Sequence, residues 1–485
     1  MSELHRLVNA CLLPGLPAGP VPDWAHQGLR AGLPGFALFP PDPGSGAGAP
    51  PRELFRATAA ALRATAPDAL IAVDEEGGDV TRLEHGTGSS YPGNLALGVA
   101  DDPAATGLVA AAVAADLRAA GVNLNLAPSV DVNSDPDNPV IGVRSFGADP
   151  KLVATHGAAF VRATQGEGVA ACAKHFPGHG ATSTDSHRGL AVVDCDPETF
   201  RSRELAPFRA AVEAGVRSVM AAQVLFPAVD PVHPANTSRI LLHEVLREEL
   251  GFEGVVIGTA LAILGPAPAE ELTRAAVDSL RAGADLLLLG PADGERVHRD
   301  LVAGLAEAVR SGALAPELLA QAAARTAHLR AWATPPDRGA GLTAARRAVR
   351  AEGAVALAGP ATVVEVGADA GHPLGVATGG GLAEALGRLG RSARTVHASA
   401  AAVAGEILAL AAGTALVLVV RDARRAPAQR ALVGELLAAR PDAVLVALGM
   451  PEDAELTSGP VIRAYGAGAV NTQAAAELLA GVGGA

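Results

Sequence analysis

Aromatic residues are scarce in this chain. Its 485 residues include two Trp, two Tyr and ten Phe, 3% in all. An open cleft paved with stacking rings is thereby excluded, and any ligand pocket must work through polar and charged groups. Cysteine is equally sparse. Cys11, Cys172 and Cys195 cannot make a disulfide framework or a C-x-x-C metal site. Basic charge is in deficit, with 38 Lys+Arg against 51 Asp+Glu and a net charge of −13. A nucleic-acid surface needs basic stripes that displace counterions, so nucleic acid is excluded as a partner. No apolar run reaches the length of about 18 residues that a membrane span needs. The opening MSELHRLVNACLLPG lacks a basic n-region and reads as no signal peptide. VNAC at 8–11 faintly resembles a lipoprotein cleavage site, without the apolar stretch such a site requires. The expectation is a cytoplasmic protein without a membrane partner.

What is abundant is Ala- and Val-rich apolar sequence, 49% hydrophobic residues in all, enough for large cores. Short apolar runs alternate with helical stretches through the first two thirds. Candidate strands are 35–39, 69–74, 122–128, 169–176, 218–224, 254–260 and 284–290. Helix-like segments lie between them at 51–67, 102–121, 196–215 and 270–284. Apolar runs of 4–8 residues without alternation read as buried parallel strands. Seven or eight βα units over 330 residues suit a (β/α)8 barrel. The expected fold class is α/β: a (β/α)8 TIM-type barrel over 1–333, a linker over 334–344, and a smaller αβα sandwich over 345–485. The linker rests on the prolines and glycines of WATPPDRGAG, 332–341. Strands 361–366, 414–422, 442–449 and 460–466 supply the second sheet. PDPGSGAGAPP, 41–51, reads as a loop.

Function in a parallel barrel gathers at the C-terminal ends of its strands. ALIAVD ends in Asp74, followed by Glu75, Glu76, Gly77 and Gly78, with Arg82 a turn later. VNLNLAPSVDVN ends near Asp131 and Asn133 and leads to Arg144. VAACAKHFPGHG carries Lys174 and His175, and its loop holds His179, Asp185 and His187. Charges at a barrel mouth are costly unless paired, so this set reads as a ligand site. A salt-bridge network closing the barrel top is the alternative. In Asp185-Ser186-His187 the carboxylate can hold one ring nitrogen and free the other for proton transfer. An Asx-turn beside a solvated histidine is the alternative there. His179 reads as a loop brace. A zinc site from His175, His179 and His187 lacks any supporting spacing.

These residues resemble glycoside hydrolase family 3. VDEEGGDVTRL (73–83) is similar to its D-x-E-G-G-x-V-x-R segment. LAPSVDVNSDPDNPVIGVRSFGADP (126–150) resembles its A-P-x-x-D-V-N … N-P-x-I-G-x-R-S-F-G block. KHFPGHGATSTDSHRGL (174–190) resembles the signature of the β-N-acetylglucosaminidase (NagZ-like) branch. The resemblance covers most of 5–335 and, more loosely, the second domain. It implies a terminal amino-sugar or glycoside ligand, and it implies neither a cofactor nor a metal. Asp74, Arg82, Arg144, Lys174 and His175 match positions that hold the sugar. His187, oriented by Asp185, matches the branch's general acid/base.

One group departs from the pattern. A retaining glycosidase needs a carboxylate nucleophile opposite its acid. The family carries it in G-F-x-G-V-V-x-[ST]-D-[AD]-L-x-M. Here that stretch is GFEGVVIGTALAIL (251–264), which sets Thr259 at the Asp, Gly258 before it and Ile263 at the Met. Gln223 replaces a His, and Ala181 an Asp. Three readings follow: a sugar-binding protein or weak hydrolase; a working hexosaminidase using substrate assistance or changed chemistry; and a non-catalytic scaffold. A second copy of the chain, in a homodimer, is a candidate partner.

Overall fold

The computed structural model describes residues 2–41, 50–184, 189–261, 268–333, 339–367, 381–421 and 423–482. The chain divides into two compact units, Met1–Pro335 and Pro336–Ala485.

The first unit is built on one parallel nine-stranded sheet. Its strands are β1 (Leu12–Leu13), β2 (Gly15–Pro17), β3 (Gly35–Phe39), β4 (Leu70–Val73), β5 (Leu124–Asn125), β6 (Ala170–Phe176), β7 (Ser218–Ala221), β8 (Val255–Leu261) and β9 (Leu286–Leu289). Their order is β1-β9-β8-β7-β6-β5-β4-β3-β2. β1 and β2 stand at opposite ends of that order, yet only Pro14 separates them. One broken stave therefore closes an eight-stave barrel. Proline has no N–H for the ladder, which explains the break. Its carbonyl still accepts the Ala37 N–H at 2.9 Å. This stave is absent from the seven strands read in the sequence, because Pro14 and Gly15 interrupt its apolar run.

Side-chain alternation sorts each strand into two cores. Leu70, Ala72, Ala170, Cys172, Leu286 and Leu288 belong to the cluster that fills the barrel. Their neighbours Ile71, Val73, Ala171, Ala173, Leu287 and Leu289 pack outward beneath the helices. The lumen is filled by aliphatic and small side chains, as the aromatic shortage requires. Helices Pro103–Ala119 and Pro150–Gly166 start at Asp102 and Asp149, whose carboxylates cap the first N–H groups, with Pro at the first helical position.

The second unit holds a six-stranded sheet: β10 (Arg350–Glu352), β11 (Ala361–Gly367), β12 (Ala393–Ser399), β13 (Ala415–Val420), β14 (Val444–Ala447) and β15 (Val461–Arg463). The order is β10-β15-β14-β13-β11-β12, parallel except for β10 against β15. Val363 and Val417 face one core, Val364 and Leu418 the other. A sheet buried on both faces is an αβα sandwich. Its helix Gly339–Ala348 begins inside the 334–344 stretch expected to be linker. The glycines there lie within helix, so that expectation is corrected for 339–344; residues 334–338 lie outside the described residues. Among the described residues, no helix is long and apolar enough to cross a membrane.

Candidate active site

The inward parity of the strands builds the site. Leu70 and Ala72 face the lumen, and the next residue of that parity is Asp74. Ala170 and Cys172 do the same, and the next is Lys174. The two side chains meet at the mouth, Lys174 Nζ lying 2.7 Å from Asp74 Oδ1. The same ammonium lies 2.7 Å from Glu76 Oε1. Arg144 grips Glu76 with both edges of its fork, Nε to Oε2 at 3.0 Å and Nη2 to Oε1 at 2.7 Å. Arg82 stands 3.8 Å from Asp74 Oδ2, and its Nε is buried without a partner. Asp74 keeps 21% of its side chain exposed, against 2% for Lys174 and for Glu76.

The charges are mutually sustained. Burial works against the Asp74 anion, but Lys174 and Arg82 overcome it and hold the carboxyl below its ordinary range. Burial likewise opposes the Glu76 charge, and Lys174 and Arg144 reverse the effect. Lys174 is raised despite its burial, by Asp74 and Glu76. The site is ionised throughout at neutral pH.

A second cluster adjoins the first. Asp131 is wholly buried and accepts four bonds: from Ser129 Oγ at 2.9 Å, His175 Nδ1 at 2.8 Å, His175 N at 3.2 Å and His179 N at 2.8 Å. Burial opposes its charge, yet His175 and the other donors hold it down to about 2. Burial pushes His175 down to about 4, with Arg144 and Lys174 adding to that effect against Asp131. The imidazole is therefore neutral, gives its Nδ1 proton to Asp131 and keeps Nε2 as a bare acceptor. His179 braces the loop, its Nδ1 2.7 Å from Thr182 Oγ1.

Two strands change register at this mouth. Lys174 pairs with Met220 but Phe176 with Ala221, so His175 is an extra residue in β6. Gly258 pairs with Leu287 but Leu261 with Leu289, so β8 carries an extra residue at 259–260. Bulges of this kind re-aim side chains beside active sites. Thr259 lies in the second of them. The Thr259 side chain, and the whole of Asp185, His187 and Ile263, lie outside the described residues.

Of the residues named from sequence, Asp74, Lys174, Arg82, Arg144 and His175 are brought together. Glu76 and Asp131 join them; the sequence places both at strand ends but gives neither a role in holding the sugar. Their signal was a charge count: three cations beside one chosen carboxylate demand further anions. Glu75 was the equal candidate, but it is spent on the turn, accepting the Arg82 and Leu83 N–H groups at 2.8 and 3.0 Å. Neither Glu75 nor Asp131, at 3% and 0% exposure, is open to a ligand. Outside the Glu76–Arg144 pair opens a cavity of about 380 Å³ lined by Gly77, Gly78, Asn94, Leu95, Val99 and Val143, among others, with no aromatic ring in its lining. No group of three His, Cys, Asp or Glu among the described residues is placed to hold a metal ion.

Fold and site define a (β/α)8-barrel protein with a preformed, ionised polar mouth at the strand ends, the position of enzyme sites in this class. Comparison with known proteins gives the family. Residues 52–329 match the model described as "Glycosyl hydrolase family 3 N terminal domain". The chain belongs to glycosyl hydrolase family 3 and is β-N-acetylhexosaminidase-like. It is 36% identical over 281 residues to "Beta-hexosaminidase A" of Pseudoalteromonas piscicida, across 54% of this chain and 47% of that protein. The chain thus spans about half the length of that relative. It is 35% identical over 294 residues to "Beta-hexosaminidase" of Xanthomonas oryzae pv. oryzae, across 59% of this chain and 82% of that one. Among solved structures, a glycoside hydrolase family 3 β-N-acetylglucosaminidase from Paenibacillus sp. str. FPU-7 superposes with a TM-score of 0.62 at 30% identity. That superposition covers 100% of this chain and 98% of that one.

Proposed function

We propose that the barrel mouth binds a terminal N-acetylhexosaminide through Asp74, Arg82, Arg144, Lys174 and His175, and that retaining hydrolysis is impaired because Thr259 occupies the nucleophile position. The observation that carries the binding half is the Asp74–Lys174–Glu76–Arg144 chain of charges. It brings the partly exposed side chains of Asp74, Arg82 and His175 to one mouth. An acceptor carboxylate, a donor guanidinium and an acceptor imidazole suit the hydroxyls of one sugar ring.

The catalytic half rests on chemistry. A threonine hydroxyl is un-ionised near neutrality. Displacement by it would form a glycosyl ether, whose departure in the second step is far slower than that of a carboxylate ester. His187, with Asp185 two residues before it in the sequence, is retained as the candidate general acid. Isothermal calorimetry with N-acetylglucosamine and its short β-linked oligomers tests the binding half, and no heat at millimolar ligand overturns it.

A second reading is favoured by the names of the relatives, all printed as hexosaminidases. There the substrate's own acetamido oxygen attacks the anomeric carbon while His187 protonates the leaving group. Turnover of an aryl N-acetylglucosaminide by the unaltered chain supports that reading, and its absence removes it for that substrate.

A further inference from the structure

We propose that Glu204 is a positioning residue for the sugar site: its carboxyl packs against Gly178 and holds the His175–His179 turn onto Asp131. The inference rests on the sugar-binding reading above. Glu204 is 1% exposed and closes a π-helical turn, Phe200–Glu204. Such turns insert one residue and shift the side chains that follow. Oε1 accepts from Arg203 Nε at 2.6 Å. Oε2 is buried with no partner. A Cβ on Gly178 would collide with that oxygen, and Gly178 also sits at φ +146°. Glycine suits the position for both reasons, and the carboxyl packs directly against the turn.

The turn is what Asp131 holds. Gly178 N–H closes it onto the His175 carbonyl at 2.8 Å, and His175 N and His179 N both point at Asp131 Oδ1. Glu204 and Asp131 therefore act on the same span, one by packing and one by accepting hydrogen bonds.

An unpartnered buried oxygen is tolerable on a neutral acid and costly on an anion. The groups acting on Glu204 bring its two forms into balance near neutrality. Burial pushes its carboxyl up to about 7, Asp131 adds to the rise, and Arg203 offsets only part of it. Cys195, whose thiol is raised first by its own burial and then by Glu204, brings no positive charge. His175 is neutral for the reasons given above. Ionisation sets a second carboxylate beside Asp131 and draws Oε2 toward water, past Gly178. The turn then loosens, and His175 Nε2 leaves its place at the mouth.

The test compares the unaltered chain with Glu204→Gln and Glu204→Ala. N-acetylglucosamine affinity is measured by calorimetry from pH 5.5 to 8.5. The unaltered chain loses affinity above neutrality, by up to about tenfold per pH unit. Glu204→Gln, neutral at every pH and of the same shape, keeps its affinity flat; Glu204→Ala is weak throughout and has no slope. Equal slopes in the unaltered chain and Glu204→Gln overturn the proposal. A ligand-free arm follows the His175 and His179 imidazole proton signals by NMR over the same range. An inflection near pH 7 that vanishes in Glu204→Gln supports the role, and identical titrations refute it. If no sugar binds at any pH, the sugar-binding reading fails, and the imidazole arm decides the role of Glu204 by itself.

Discussion

Lys174 and Glu76 meet at 2.7 Å in an ion pair from which water is excluded. Neither charge could exist there alone. Bringing two ions out of water costs several kcal/mol each, and their attraction repays it only when every remaining donor and acceptor is matched. Here Arg144 takes both oxygens of Glu76, sharing Oε1 with Lys174, and Asp74 takes a second proton of the ammonium. The pair is thus a fixed platform, and Asp74 is the part of it that remains open to a ligand.

Removing one partner from that platform should therefore be expensive. Glu76→Gln leaves Lys174 and Arg144 without their shared anion and is expected to destabilise the protein by about 3–5 kcal/mol. Glu307→Gln serves as the control. It breaks an exposed pair with Arg310, worth less than about 1 kcal/mol. Urea unfolding of both variants checks the contrast; comparable losses would show the platform to be no more than a surface network.

The His175 imidazole predicts a pH dependence of known sign. Its ordinary value of 6.5 falls to about 4 in the folded chain. Between those values the unfolded chain takes up a proton that the folded chain refuses, so stability is lost as pH falls through the window. The loss amounts to at most about 3.5 kcal/mol, since each pKa unit is worth about 1.4 kcal/mol. Asp131, depressed to about 2 from 3.8, adds a second loss at lower pH, as its carboxylate is protonated between those values. Unfolding midpoints at pH 7.0, 5.5 and 4.5 should converge for the unaltered chain and His175→Gln as the pH falls. Parallel lines would mean that the histidine is solvated.

Gly178 and Glu204 should be coupled. Gly178→Ala forces a Cβ into the Glu204 carboxyl and is expected to cost about 2–3 kcal/mol, the range for overpacking with backbone strain. In a Glu204→Ala background the collision is gone and only the strain at positive φ remains. A double-mutant cycle should therefore give a coupling of at least about 1 kcal/mol. Additive costs would separate the two residues.

How much of this was legible before the structure depends on what each residue does. Asp74 and Lys174 were readable because each follows a buried apolar run, and strand parity then carries both to one point. Arg144 was readable as part of the barrel mouth, but its role came from the family block, since no periodicity fixes the path from Asp131 to the turn Gly142–Arg144. Glu76 was indistinguishable from Glu75. Glu76 shares the parity of Asp74, but the strand ends at Val73, and the chain bends at Gly77–Gly78, φ +80° and +58°, so parity alone did not choose between them. Glu204 was hidden inside an amphipathic helix pattern at 196–215, where a glutamate is ordinarily solvated. The broken stave Leu12–Pro17 was lost to its own proline. The edge strand Ala393–Ser399 was lost because most of its residues are at least partly exposed.

Thr259 offers the sharpest outcome. If its hydroxyl is what stops the double displacement, Thr259→Asp should create turnover of an aryl N-acetylglucosaminide. The gain should be at least about 100-fold over the unaltered chain, the lower end of what one catalytic group supplies. The β8 backbone need not change, since the bulge at 259–260 is already present. The neighbouring Gly258 should not be altered at the same time. A Cβ there would stand 2.9 Å from Ser279 Oγ and 3.0 Å from Leu287 Cδ2, so the family's Ser/Thr is crowded out by this chain's own core. The restored activity should depend on His187, and His187→Ala in the Thr259→Asp background should remove most of it. Retention of configuration at the anomeric carbon, followed by NMR, separates a covalent route through Asp from direct attack by water. Turnover with inversion would mean that the new carboxylate acts as a general base and that the pocket holds the sugar further from β8 than a nucleophile requires.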